Sequence, residues 1–172
     1  MEIVGKDLGI EQFALHVANL DLSRWKPSLV VVHHCAEPSL AQRPAGFIPQ
    51  HMQNLKEYYE GKGWSAGPHL FIDDRKQIWL FSPMDKKGVH AVSFNRNSWG
   101  IEMLGDYDSE DPTTGRGAEV IKTTAQAVRV MLSKIGKDFS AIRFHREDPK
   151  TSKTCPGKKI SKDWFIEQVR NA

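Results

Sequence analysis

Within the stretch FHREDPKTSKTCPG, His145 precedes Cys155 by 155 − 145 = 10 positions, in a polar loop that turns away at Pro156-Gly157. A loop of that length can fold back so that an imidazole and a thiolate bind one ion. A second imidazole, His33, closes the apolar run SLVVVHHC. Two imidazoles and a thiolate form a borderline-to-soft ligand set that suits zinc, whereas magnesium and calcium prefer oxygen. Catalytic zinc takes three protein ligands and leaves a fourth position for water. Taken singly, each residue also has an ordinary reading. A histidine after a strand is commonly just hydrogen-bonded, and a cysteine often packs as a small apolar group.

The elements that must position these residues follow from hydrophobic patterning. Residues 28 to 35 read as a strand buried on both faces, with the histidines where it stops. Residues 50 to 60 read as a helix ending at Gly61 and Gly63, and HLFIDD and QIWLF as a hairpin around Asp74-Arg75-Lys76. SWGIEML is a further strand. Ile121, Ala125, Val128, Leu132 and Ile135 recur at helical spacing before Gly136, predicting a long amphipathic helix. AIRF predicts a short strand feeding the His145 loop, and KDWFIEQVRN a C-terminal helix packing Trp164, Phe165 and Val169. Near the start, Ile10, Phe13, Ala14 and Val17 share one face of a short helix that ends before Trp25-Lys26-Pro27. Strands mixed with crossover helices predict an α/β fold with a central mixed β-sheet flanked by helices.

At 172 residues, 40% hydrophobic and 26% charged, the chain has the composition of one folded domain. The excess of 24 basic over 21 acidic residues is too small to indicate nucleic acid, though it suits an acidic substrate. No apolar run approaches the roughly 18 residues of a membrane span, so stable membrane insertion is not expected. The start, MEIVGKDLGIEQF, lacks a basic and apolar leader, which predicts a protein that is cytoplasmic as synthesised. Cys35 and Cys155 are too few for a disulfide scaffold. No feature specifies an oligomeric state.

The segments VVVHHCAEPSL, GWSAGPHLFIDD, GVHAVSFNRNSWGIEMLGDYD and RFHREDPKTSKTCPG, in this order, resemble the zinc-dependent N-acetylmuramoyl-L-alanine amidase family. That family includes phage endolysins, wall-recycling amidases and peptidoglycan recognition proteins. The likeness runs from about Ser28 to Trp164, which implies an amidase domain over residues 28–172 and an N-terminal extension over 1–27 packed on the core. It implies that His33, His145 and Cys155 hold zinc, with His34 and Cys35 as neighbours. Glu102, on the opposite strand face from Ile101 and Met103, is implied as the base that serves the attacking water. Without the resemblance, it reads more simply as a strand charge or ion pair. Lys153 is implied as an oxyanion stabiliser and His90 as a substrate contact, while His69 is left between a site and a core role. Pro68 stands where many relatives carry a tyrosine, so no hydroxyl can donate there.

The activity implied is cleavage of the amide between the lactyl group of N-acetylmuramic acid and L-alanine, in peptidoglycan or muropeptides. A phage or prophage endolysin, reaching the wall through a phage-made pore, and a bacterial cell-wall amidase fit equally. Two other classes stay open: a non-catalytic peptidoglycan-binding module of the same fold, and a metal-free cysteine hydrolase using Cys35 or Cys155. Trp64, Trp79 and Trp99 are offered as sugar platforms, against a simpler reading of each as core.

Overall fold

The structure is a computed structural model describing residues 1–172. Six strands form one sheet: β1 (Lys6–Leu8), β2 (Leu29–His34), β3 (Leu70–Ile72), β4 (Ile78–Leu80), β5 (Ser98–Met103) and β6 (Ile142–Phe144), in the order β1-β4-β3-β5-β2-β6. Strands β3, β5, β2 and β6 run parallel to one another, and β4 pairs antiparallel with β3 and β1. The expected mixed α/β sheet is therefore present. The helices are α1 (Ile10–Ala18), α2 (Pro49–Gly61), α3 (Gly115–Ile135) and α4 (Lys162–Asn171), with α3 packed between α1 and α4.

Each element traces to local chemistry. Helix α3 buries Ile121, Val128, Leu132 and Ile135 and stops at Gly136, whose φ of 68° is left-handed and favours glycine. Each such aliphatic side chain withdrawn from water contributes about 1.5–3 kcal/mol before chain entropy is counted. Strand β2 is interior, between β5 and β6, and Val30 through His34 are all buried. That matches a strand covered on both faces. The hairpin β3-β4 turns at Asp73–Gln77, where Asp73 Oδ1 accepts the N–H groups of Arg75 and Gln77.

Strand β1 is not announced by the sequence. Its three residues, KDL, include two charges and bury only Leu8. Order comes from β4: Val4 N–H donates to the Phe81 carbonyl at 2.8 Å and Gly5 N–H to Leu80 at 2.9 Å. Beside it, α1 buries Phe13 and Val17 and packs against α3.

Two features of the sheet position the site. In the parallel pair β2-β5, His33 stands opposite Glu102, which also registers with Phe71 on β3. Along β5 the strand period of two sets Ser98, Gly100 and Glu102 on one face, against Trp99, Ile101 and Met103 on the other.

Candidate metal centre

His33 is 1% exposed at the end of β2, and His145 opens a short 3-10 turn, His145–Glu147, where β6 stops. Cys155, 4% exposed, returns to them through the loop. The return is held by Arg146. Its N–H donates to the Cys155 carbonyl at 2.8 Å, and its guanidinium reaches the carbonyls of Thr154, Gly157 and Ile160 at 3.2, 2.9 and 2.7 Å. Asp148, also buried, accepts from Ser93 N–H at 3.0 Å and Ser93 Oγ–H at 2.6 Å, tying the loop to the turn before β5.

One donor atom from each of His33, His145 and Cys155 lies within 4.8 Å of the others. Zinc bonds of about 2.0–2.1 Å to nitrogen and 2.3 Å to sulfur set tetrahedral donors about 3.4–3.7 Å apart. A contraction of at most about 1.4 Å thus completes the set. The His33 and His145 rings are 4.5 Å apart, tilted by 51°. Both cysteines are free thiols.

The electrostatics favour the neutral forms of His33, His145, Cys155 and Glu102. Burial pushes the Cys155 thiol far up, with the Glu102 charge adding to the effect, and burial lifts the Glu102 carboxyl to about 8 against the opposing charge of Lys153. Burial first, then neighbouring positive charge, lowers both His33 and His145, keeping their imidazoles neutral. Neutral imidazoles present the lone pairs that zinc binds, and a buried thiol becomes a ligand by giving up its proton as the ion enters. The residues present therefore fit zinc.

Glu102 places Oε1 3.7 Å from His33 Nδ1, with its side chain 15% exposed. Lys153 is exposed and lines the same cleft, which encloses about 720 Å³. His34 is a neighbour: its Nδ1 accepts the Tyr107 N–H at 3.1 Å and its own N–H faces Cys155 Sγ at 3.4 Å. Cys35 and Pro68 line the cleft. Burial raises the Cys35 thiol as well, so neither cysteine has the lowered pKa of a nucleophile.

His90 lines the same cleft. Its Nδ1 lies 3.0 Å from His33 Nε2 and its Nε2 lies 3.3 Å from Ser98 Oγ, so both ring nitrogens are engaged by the protein. His69 belongs to the core. It is fully buried, stacked on Trp25 at 5.7 Å, with Nδ1 accepting from Gly100 N–H at 3.0 Å and Nε2 donating to the Lys86 carbonyl at 2.9 Å.

That geometry holds His69 neutral, and burial lowers its pKa to about 4. Because the folded value lies below the unfolded value near 6.5, the associated stability is present above about pH 6.5 and lost as pH falls towards 4. By pH 5 the loss is about 2 kcal/mol. Nitrogen-15 NMR should show His69 uncharged, with its proton on Nε2, at pH 5; protonation near 6.5 would contradict the geometry.

The aromatic candidates divide. Trp79 and Trp99 are core, their indole N–H groups donating to Asp73 at 3.1 Å and to the Met84 carbonyl at 2.8 Å. Trp64 lines the cleft, stacked on Tyr59 at 5.1 Å, with the Lys62 ammonium above the Tyr58 ring at 4.7 Å. Tyr58, Tyr59 and Asn54 of α2, with Arg43 before it, are cleft residues that sequence reasoning missed. Their pattern on α2 is that of an ordinary wet helix face.

The family model described as N-acetylmuramoyl-L-alanine amidase matches residues 23–158. The peptidoglycan-recognition protein SC2 of Drosophila melanogaster is 27% identical over 135 residues, covering 77% of this chain and 70% of that protein. Among solved structures, the N-acetylmuramoyl-L-alanine amidase LysC of Clostridium intestinale superposes with a TM-score of 0.67 at 20% identity, over 84% of this chain and 86% of that one. Drosophila PGRP-LB superposes with a TM-score of 0.62 at 21% identity, over 78% and 76%; a variant of it has been solved in complex with tracheal cytotoxin. With the family match spanning most of its length, this chain belongs to the N-acetylmuramoyl-L-alanine amidase family, type 2.

Proposed function

We propose that this chain is a zinc-dependent amidase that hydrolyses the bond between the lactyl group of N-acetylmuramic acid and L-alanine, as an endolysin or a cell-wall amidase. The observation that carries the reading is the convergence of His33, His145 and Cys155 at a cleft that also holds Glu102 and Lys153. When bound there, zinc supplies Lewis acidity towards the amide carbonyl and acidifies water near neutral pH.

The chain's own groups do the rest. Glu102 accepts a proton as water adds to the carbonyl carbon, and returns it to the nitrogen as the carbon–nitrogen bond breaks, leaving a carboxylic acid and a free amine. A carboxyl lifted to about 8 by burial is readily brought into the working range by adjacent positive charge. The Lys153 ammonium compensates the negative charge that develops on the carbonyl oxygen. Pro68 donates nothing, so among the chain's own groups that task falls to Lys153. The raised thiols of Cys35 and Cys155 speak against a metal-free cysteine hydrolase.

Mass spectrometry of purified muropeptides tests the assignment. Zinc-loaded protein should release free stem peptides and lactyl-bearing glycan, and chelator-treated protein neither. Cleavage between sugars would reject the amidase, and retention of intact muropeptides without cleavage would establish the binding-module reading instead.

A further inference from the structure

His33 presents two nitrogens, and only one of them can serve the ion. The choice can be followed outward from a backbone carbonyl. Ser98 Oγ lies 2.7 Å from the Phe94 carbonyl, which can only accept, so the hydroxyl proton is committed there. The same oxygen then faces His90 Nε2 at 3.3 Å as an acceptor, which places the His90 proton on Nε2. His90 Nδ1 is left with a lone pair, 3.0 Å from His33 Nε2. His33 must therefore carry its proton on Nε2, leaving Nδ1 bare on the side of Glu102, 3.7 Å away. Reversing the His33 tautomer would set two lone pairs against each other at 3.0 Å.

We propose that the Phe94 carbonyl, Ser98 and His90 form a relay that fixes the tautomer and ring orientation of His33, so that Nδ1 is its metal donor and His90 is a positioning residue. The proposal rests on the metal reading of this site. The fold is built around the relay. Ser98, Gly100 and Glu102 occupy alternate positions on one face of β5. The His90 ring lies across Gly100, where a Cβ would come within 2.5 Å of it. Any larger residue at position 100 would displace the ring. The backbone of His90 is held too, since the N–H groups of His90 and Ala91 both donate to Asn95 Oδ1 at 2.8 Å. His33 and His90 meet edge to face, with ring centres 5.1 Å apart, and His69 packs behind His90 at 6.0 Å. A partner that fixes the second nitrogen of a ligating histidine pre-organises the site and increases the ligand's basicity.

Two measurements test the relay on the whole protein. Nitrogen-15 NMR of the metal-free native chain should find the protons of His33 and His90 on Nε2; a His33 proton on Nδ1 would overturn the proposal. Zinc affinity, read by competition with a chromophoric chelator, should fall about 10- to 100-fold in His90→Ala. Ser98→Ala should weaken it by less, and His90→Gln, whose amide oxygen can accept the His33 proton, should recover most of the His90→Ala loss. Native affinity in a folded His90→Ala variant would overturn the relay. Failure of the native chain to bind zinc would overturn the metal reading itself, and the two failures are distinguishable because the metal-free tautomers report on the relay alone.

Discussion

Glu102→Ala lowers turnover of muropeptides by about 10²- to 10⁴-fold, the range ascribed to a positioned general base, while zinc affinity changes little. The asymmetry follows from where the carboxylate stands. It lies beside His33 without belonging to the His33, His145 and Cys155 donor set, and its register opposite His33 in β2-β5 is held by backbone hydrogen bonds that the substitution leaves alone. The pH profile carries the same signature. A base must be ionised, so activity falls as pH drops through the Glu102 pKa, which in the loaded protein sits below the metal-free value of about 8 because adjacent positive charge favours the carboxylate. The variant loses that limb. Stability moves the other way: in metal-free protein the raised pKa means that stability falls as pH rises from about 4.5 to 8, and Glu102→Gln flattens that slope. Steady-state rates and denaturation across pH 5 to 9 check both, and a variant with native kcat would remove Glu102 from the reaction.

Cys155→Ser produces the larger effect on the metal. A hydroxyl replaces the one soft ligand, and zinc affinity should fall beyond the 10- to 100-fold of an outer-shell change, on the order of 10³-fold, taking activity with it. Thermal stability reads this without substrate. At zinc one hundred times its dissociation constant the native fold gains about 2.7 kcal/mol, or about 5–11 °C in Tm for a chain of this length. The serine variant should show no such rise at the same zinc concentration. A full rise in that variant would mean that zinc binds elsewhere.

The long elements were legible because their patterns repeat over many residues. Helix α3 extends over 21 residues with an apolar stripe and a glycine stop, and β2 is an uninterrupted apolar run. β1 was not legible, because three residues cannot show a period and its order is borrowed from β4. At the site, His33, His145 and Cys155 converge, the two histidines because each lies at or just beyond the end of a parallel strand and Cys155 because the loop after His145 folds back onto them. What the sequence hid was direction. His90 reads as a polar residue of the cleft, and the sequence does not show that Gly100 leaves room for its ring to lie across β5 and engage His33. Arg146 reads as one charge among many in its loop, and only the fold brings its guanidinium to the carbonyls of Thr154, Gly157 and Ile160.

X-ray absorption at the zinc edge of the loaded native protein tests the central claim most directly. The predicted spectrum has one zinc per chain with two imidazole nitrogens at about 2.0–2.1 Å, one sulfur at about 2.3 Å and one lighter oxygen scatterer. A shell without sulfur, or with two sulfurs drawn from Cys155 and Cys35 together, would contradict it.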